Sequence, residues 1–283
     1  ANPSEYFVPC IPNPDGEKMR DPARIGVTYS HQFYTERNLY ILSWLWEHCK
    51  NFRYESALRF VLTGIVQISS KMSRFRYDSR NPQNTAGGIL NGTLFIPSLS
   101  REGSVFENYK RRLQSILQLY QKTAEIKGDI IVTCSALQGI ELPDNSVDYI
   151  FTDPPFGANI NYAELSNIWE AWLGIQTNMD AEAIMSRIHG KGLAEYQGIM
   201  EECFRKYYHA LKPQRWITVE FHNSKNAVWN AIQEALYRAG FIVADVRVIS
   251  KKQGSYNQVT AQGAVQQDLV ISAYKPKESF VRE

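Results

Sequence analysis

The chain has 283 residues, 44% of them apolar, with 31 Lys+Arg against 29 Asp+Glu. That composition excludes a disordered tail, a collagen-like fibre and a small disulfide scaffold, and a formal charge of +2 leaves any affinity for nucleic acid to a local basic patch. Cys10, Cys49, Cys134 and Cys203 form no CxxC pair, so a zinc ribbon or redox motif has no support and a reducing cytoplasm is the expected compartment. No apolar run approaches the roughly 20 residues of a membrane span, and no signal peptide opens the chain, so no membrane partner is expected.

From Thr35 to Ser70, apolar residues recur at helical spacing twice over, first Leu39, Leu42, Leu45/Trp46 and Cys49, then Leu58, Val61/Leu62, Ile65 and Ile68. Two helices are predicted. Lys71–Gly92 has no sustained period and reads as a long loop whose cations Lys71, Arg74, Arg76 and Arg80 either contact phosphates or form a solvated surface. Phe106, Tyr109, Leu113, Ile116/Leu117 and Tyr120 define a third helix ending near Gly128, with Lys110, Arg111 and Arg112 as a second cationic cluster.

Beyond Gly128 the pattern changes to short β-branched or aromatic runs bounded by turn residues: Asp129–Cys134, Val147–Thr152, Trp216–Phe221, Phe241–Ile249 and Asp268–Tyr274. Helical patterns lie between them at Tyr196–Leu211 and Asn226–Ala239. The alternation predicts an α/β fold with a largely parallel, doubly wound sheet, and an antiparallel hairpin formed by the last two strands.

One segment carries chemistry. A buried-strand pattern, Tyr149-Ile-Phe-Thr, runs directly into Asp153-Pro154-Pro155-Phe156-Gly157. Ligands of open α/β sheets sit outside the carboxyl ends of the strands, which places Asp153 at the rim. Two prolines fix the backbone and remove two N–H donors, leaving rigid carbonyls beside an acceptor-only carboxylate and an aromatic ring. Such a corner suits a planar ring bearing an exocyclic NH2. Asp153 and the Pro154 carbonyl would each accept one amino hydrogen, and Phe156 would stack on the ring. An ordinary strand-ending turn is the bland alternative. By average residue usage, though, the tetrapeptide should arise by chance in roughly 0.3% of chains this long.

The segment resembles the catalytic motif (Asp/Asn/Ser-Pro-Pro-aromatic) of the amino-group DNA methyltransferases. Ser135-Ala136-Leu137 followed by Leu142-Pro143-Asp144-Asn145-Ser146-Val147-Asp148 is similar to that family's approach to the motif, Asn159–Ser166 to a downstream segment of large bacterial members, and Glu220–Asn223 with Ala239–Phe241 to its next strand and helix turn. The resemblance covers about residues 129–275. It implies a Rossmann-like methyltransferase sheet, S-adenosylmethionine as cofactor, and DNA as partner, in settings such as restriction-modification. It also implies that Ser135, Ala136 and Asp153 border the cofactor, that Asp153, Pro154, Pro155 and Phe156 are catalytic, and that no covalent intermediate forms.

The domain division expected on this basis is an N-terminal helical region with a basic loop over 1–100 and a methyltransferase core over 101–283. One departure stands out: no glycine loop for the methionine end of the cofactor follows a first strand, and the expectation is that it lies in a missing segment upstream of Ala1. The chain alone would then bind cofactor weakly or not at all.

The five histidines show no metal-ligand spacing, so no metal is implied. His222, just past a predicted strand, faces the same rim as Asp153. Together with Asn159, Tyr162 and the loop cations Lys71, Arg74, Arg76 and Arg80, it completes the candidate substrate-binding set. Trp169 and Trp172 read as core, and the loop Lys251–Asn257 mixes cations with polar and aromatic groups as a base-contacting loop would. Asp at the first motif position favours adenine N6 over cytosine N4. An RNA-base or protein-glutamine methyltransferase, and a nucleic-acid-binding homologue without cofactor, are the alternatives.

Overall fold

A computed structural model describes residues 6–77, 80, 81, 85–158, 160–223, 225–250 and 267–277. The chain divides into two compact units, Ala1–Ile131 with Asn161–Asn178, and Val132–Ile160 with Met179–Glu283. Among the described residues, no helix is long and apolar enough to cross a membrane.

The first unit is helical: α1 (Arg20–Arg24), α2 (Glu36–His48), α3 (Glu55–Val66), α4 (Val105–Thr123) and α5 (Tyr162–Leu173). The helix starts follow from local chemistry. The Thr35 hydroxyl accepts from the Asn38 N–H at the start of α2, and Ser104 does the same for Glu107 at α4. Gly174, at φ 69°, ends α5 in the left-handed conformation that a glycine tolerates without strain. Phe33, Leu42, Leu62, Val66, Met72, Ile168 and Trp172 form the core. Trp172 is core as expected, its indole donating to the Tyr34 hydroxyl at 2.9 Å, and burial pushes that phenol's pKa up.

A buried carboxylate ties the start of this unit to α5. Glu164, fully buried, accepts from the backbone N–H groups of Lys18 (2.6 Å) and Met19 (3.2 Å) and from Asn161 Nδ2 (2.6 Å). Unpaired, such a charge would cost several kcal/mol, of order 5, so these donors are what let it stay inside.

Among the described residues, the second unit is a four-stranded sheet with two α-helices. Its strands are β1 (Val147–Thr152), β2 (Leu211–Phe221), β3 (Ile242–Ser250) and β4 (Gln267–Tyr274), in the order β1-β2-β4-β3. β1 pairs parallel to β2, whereas β2–β4 and β3–β4 are antiparallel. The expected terminal antiparallel hairpin is present; the expectation of a mostly parallel sheet is corrected to a mixed one. β4 lies between β2 and β3 and runs antiparallel to both, and Asp129–Cys134, predicted as a strand, adds no parallel one. That segment forms no strand: Ile130, Ile131 and Val132 are 84%, 91% and 89% exposed. β-Branched residues favour a strand only where a neighbour supplies packing and ladder bonds.

Helices α6 (Leu193–Ala210) and α7 (Asn226–Arg238) supply the apolar partners for one face of the sheet. Ile150, Ile217, Val219, Phe221, Ile271 and Ala273 alternate along the strands and join Tyr196, Met200, Phe204, Ile232 and Leu236 in one core. Each fully buried large side chain contributes roughly 1.5–3 kcal/mol. The alternate residues Tyr149, Phe151 and Trp216 remain exposed on the other face.

Candidate active site at the strand ends

The parallel pairing of β1 and β2 ends at Thr152↔Val219, so both strands point their carboxyl ends at one rim. Asp153 follows β1 directly and is exposed; Pro154 behind it is buried, and Pro155 and Phe156 are half-buried. The other end of β1 is distinct: Asp148 contacts Lys212 (2.8 Å) and Arg215 (3.3 Å), and the hydrogen bond from Lys212 holds its carboxyl below the usual range.

The motif's carbonyls are not equivalent. The Tyr196 hydroxyl donates to the Pro155 carbonyl, Asn223 Nδ2 to that of Phe156 at 2.8 Å, and the Met185 N–H to that of Gly157 at 3.2 Å. Among the described residues no donor is bonded to the Pro154 carbonyl. Three clamps therefore fix the corner while leaving one carbonyl, beside Asp153, to accept from something else. Gly157 completes the turn at φ 70°, and a Cβ there would meet Met185 Sδ at 3.3 Å.

Phe156 is held by its neighbours. Its ring lies 5.5 Å from Phe221 at 81° and 6.1 Å from His222 at 70°, so neither lies parallel to it. His222 Nδ1 in turn is 2.6 Å from Asp268 Oδ1, a contact whose alignment falls short of a hydrogen bond. Asn223, 2% exposed, is the hub of this corner: besides the Phe156 carbonyl, it accepts from the Lys225 N–H through Oδ1 and from the Trp229 indole through its own carbonyl, each at 2.8 Å.

The structure thus brings Asp153, Pro154, Pro155, Phe156 and His222 together. The expected cofactor neighbours Ser135 and Ala136 are exposed, and the Ser135 hydroxyl turns to the Ala136 carbonyl at 3.4 Å. Tyr162, 38% exposed, begins α5 in the first unit. The loop cations belong to that unit too: Lys71 Nζ donates to the Gln32 carbonyl (3.0 Å) and Arg74 to those of Gly87 (2.7 Å) and Gly88 (3.3 Å), while Arg76 and Arg80 are exposed. Asn159 and the loop Lys251–Asn257 lie outside the described residues. Sequence reasoning assigns no role to Tyr196 or Asp268, and treats Asn223 only as part of a supporting segment. A polar residue at each end of an apolar run, Asn223 after β2 and Asp268 at the start of β4, is the available signal.

No family model matches the chain, and no curated protein does. Solved structures overlap with part of it. A Thermus thermophilus protein described as a DNA modification methylase shares 14% identity over 50% of this chain and 49% of its own, with a TM-score of 0.30. That protein has also been solved with S-adenosyl-L-methionine. The 16S rRNA (adenine(1408)-N(1))-methyltransferase from Catenulisporales acidiphilia shares 14% over 50% and 61%, at 0.27. A 4+2 cyclase, SpnF, shares 13% over 59% and 64%, at 0.31. The chain spans about half the length of the first of these. Two of the three are methyl-transferring enzymes by name, but overlaps this shallow do not carry a function, which rests on the site itself.

Proposed function

We propose that this chain carries the amine-orienting part of an S-adenosylmethionine-dependent methyltransferase that acts on an exocyclic amino group of DNA, with adenine N6 as the target. The observation that supports this reading is the pairing of an exposed Asp153 with a Pro154 carbonyl that has no described donor, next to three carbonyls that are all occupied. An NH2 group presents two hydrogens, and this corner offers two acceptors. Accepting both draws the nitrogen lone pair out of conjugation with the ring, which raises its nucleophilicity. Phe156 holds the ring plane; the nitrogen would bond the methyl carbon as the donor's sulfonium S–C bond breaks, and the cationic amine so formed would release a proton to Asp153 or water.

The methyl donor would supply an electrophilic methyl group. Of the residues expected to border it, Ser135 and Ala136 lie in an exposed stretch continuous with Ile130–Val132. In this reading, the sulfonium-binding part comes from polypeptide beyond the described residues, as the glycine loop expected upstream of Ala1 would provide.

Incubation of the full-length gene product with S-adenosylmethionine labelled in its methyl group, offered DNA, RNA and protein in parallel, tests the proposal. Label in DNA recovered as N6-methyladenine is the expected result. Label in RNA or in protein glutamine moves the same geometry to another substrate. No label in any pool, with tight DNA binding, favours a binding module without cofactor chemistry.

A further inference from the structure

We infer that Asp268 and His222 act as positioning residues that set the plane of Phe156, and through it select a flat, stackable ring as substrate; the inference rests on the amine-orienting reading above. Asp268 stands at the start of β4 and is 3% exposed. A buried carboxylate costs several kcal/mol, of order 5, unless it is compensated, and an apolar residue would serve the strand better.

One neighbour that compensates it is His222. Register places Phe221 opposite Leu269, so the residue after β2, His222, falls beside Asp268, and their Nδ1 and Oδ1 atoms stand 2.6 Å apart. The other side of the imidazole relation is aromatic: the His222 ring lies 6.1 Å from the Phe156 ring at 70°. Phe156 therefore has two wedges. Phe221 is a fixed core residue, fully buried and packed on Trp229 at 4.9 Å. His222 is half-buried at the rim, with the Asp268 carboxylate in close contact with its Nδ1.

A carboxylate packed this closely against an imidazole restricts where the ring can sit, as the outer layer around a functional centre commonly does. Here the imidazole meets the stacking ring rather than the reacting nitrogen. The ligand chemistry that follows is a nucleobase-sized aromatic ring; an aliphatic amide such as a glutamine side chain would gain nothing from a fixed Phe156 plane.

The test is a mutant cycle read by binding, not by methyl transfer. Single-stranded oligonucleotides carrying 2-aminopurine in place of adenine are titrated into the full-length protein, and quenching of the probe reports stacking. Asp268→Ala and His222→Ala are each expected to weaken binding about tenfold, the double variant no further, and Asp268→Ala to change nothing more than about twofold once Phe156 is Ala. Asp268→Asn, which preserves volume and one acceptor, guards against loss of folding and is expected to fall between wild type and Asp268→Ala.

Quenching by the wild type with multiplicative effects of Asp268 and Phe156 overturns the positioning role and leaves the amine-orienting reading standing. A wild-type protein that neither quenches the probe nor incorporates methyl groups overturns both.

Discussion

The Asn223 side chain donates to the carbonyl of Phe156 at 2.8 Å, which fastens the end of β2 to the proline corner that ends β1. Asn223 is almost fully buried and its Oδ1 also accepts from the Lys225 N–H at 2.8 Å. Asn223→Ala strands one buried carbonyl and one N–H, so unfolding by denaturant should show a loss of about 2–4 kcal/mol. Asn223→Asp retains the acceptor but sets a carboxylate against the Phe156 carbonyl. It should be at least as damaging to the motif, and an unchanged midpoint for both variants would show that the clamp is dispensable.

Gly16 is required by Glu164. A Cβ at residue 16 would overlap the Glu164 carboxyl group, which accepts from Lys18 and Met19. The charge cannot retreat into an apolar interior, so Gly16→Ala should destabilise the first unit by about 3 kcal/mol. Hydrogen exchange at the Lys18 and Met19 amides should accelerate in that variant. Protection equal to wild type would mean that the backbone opens without losing the two bonds.

The thiols should differ in reactivity in a way set by burial. Burial pushes the Cys203 thiol up to about 11 and also raises that of Cys49, whereas Cys10 and Cys134 are exposed. Raised pKa means a scarcer thiolate at neutral pH: for Cys203, roughly one molecule in ten thousand at pH 7. Iodoacetamide should therefore label Cys10 and Cys134 first, with labelling of Cys203 in the folded chain rising only as pH climbs toward 11. Peptide mass spectrometry after short pulses reads this order directly, and early labelling of Cys203 would contradict its burial.

Much of the fold is legible in the sequence because its signals are local. The strand ending at Thr152, a helix expected over Tyr196–Leu211 and found over Leu193–Ala210, and the antiparallel last pair follow from side-chain period and turn residues, whereas Leu211 and Lys212-Pro213, read as the helix end and its stop, begin β2. Asp129–Cys134 misleads because a β-branched run states a preference, and the preference is realised only when a neighbouring strand is there to pair with. The motif itself is readable since Asp-Pro-Pro imposes its geometry on its own backbone. Its supports are not: Tyr196 lies 41 residues from Pro155 and Asn223 lies 67 residues from Phe156. Nothing in the local pattern reveals such long-range bonds. The loop cations show the same limit, since Lys71 reaches a carbonyl 39 residues away at Gln32.

Asp153 is exposed at the rim beside a Pro154 carbonyl that accepts from no described donor, and the whole functional account depends on these two acceptors gripping one amino group. Methyl transfer by Asp153→Ala in the full-length protein, measured with labelled S-adenosylmethionine alongside circular dichroism, tests that dependence most directly. The account predicts a fold indistinguishable from wild type with methyl transfer reduced by about a thousandfold or more, the scale expected when a group that stabilises the transition state is removed. Transfer at or near the wild-type rate would contradict it.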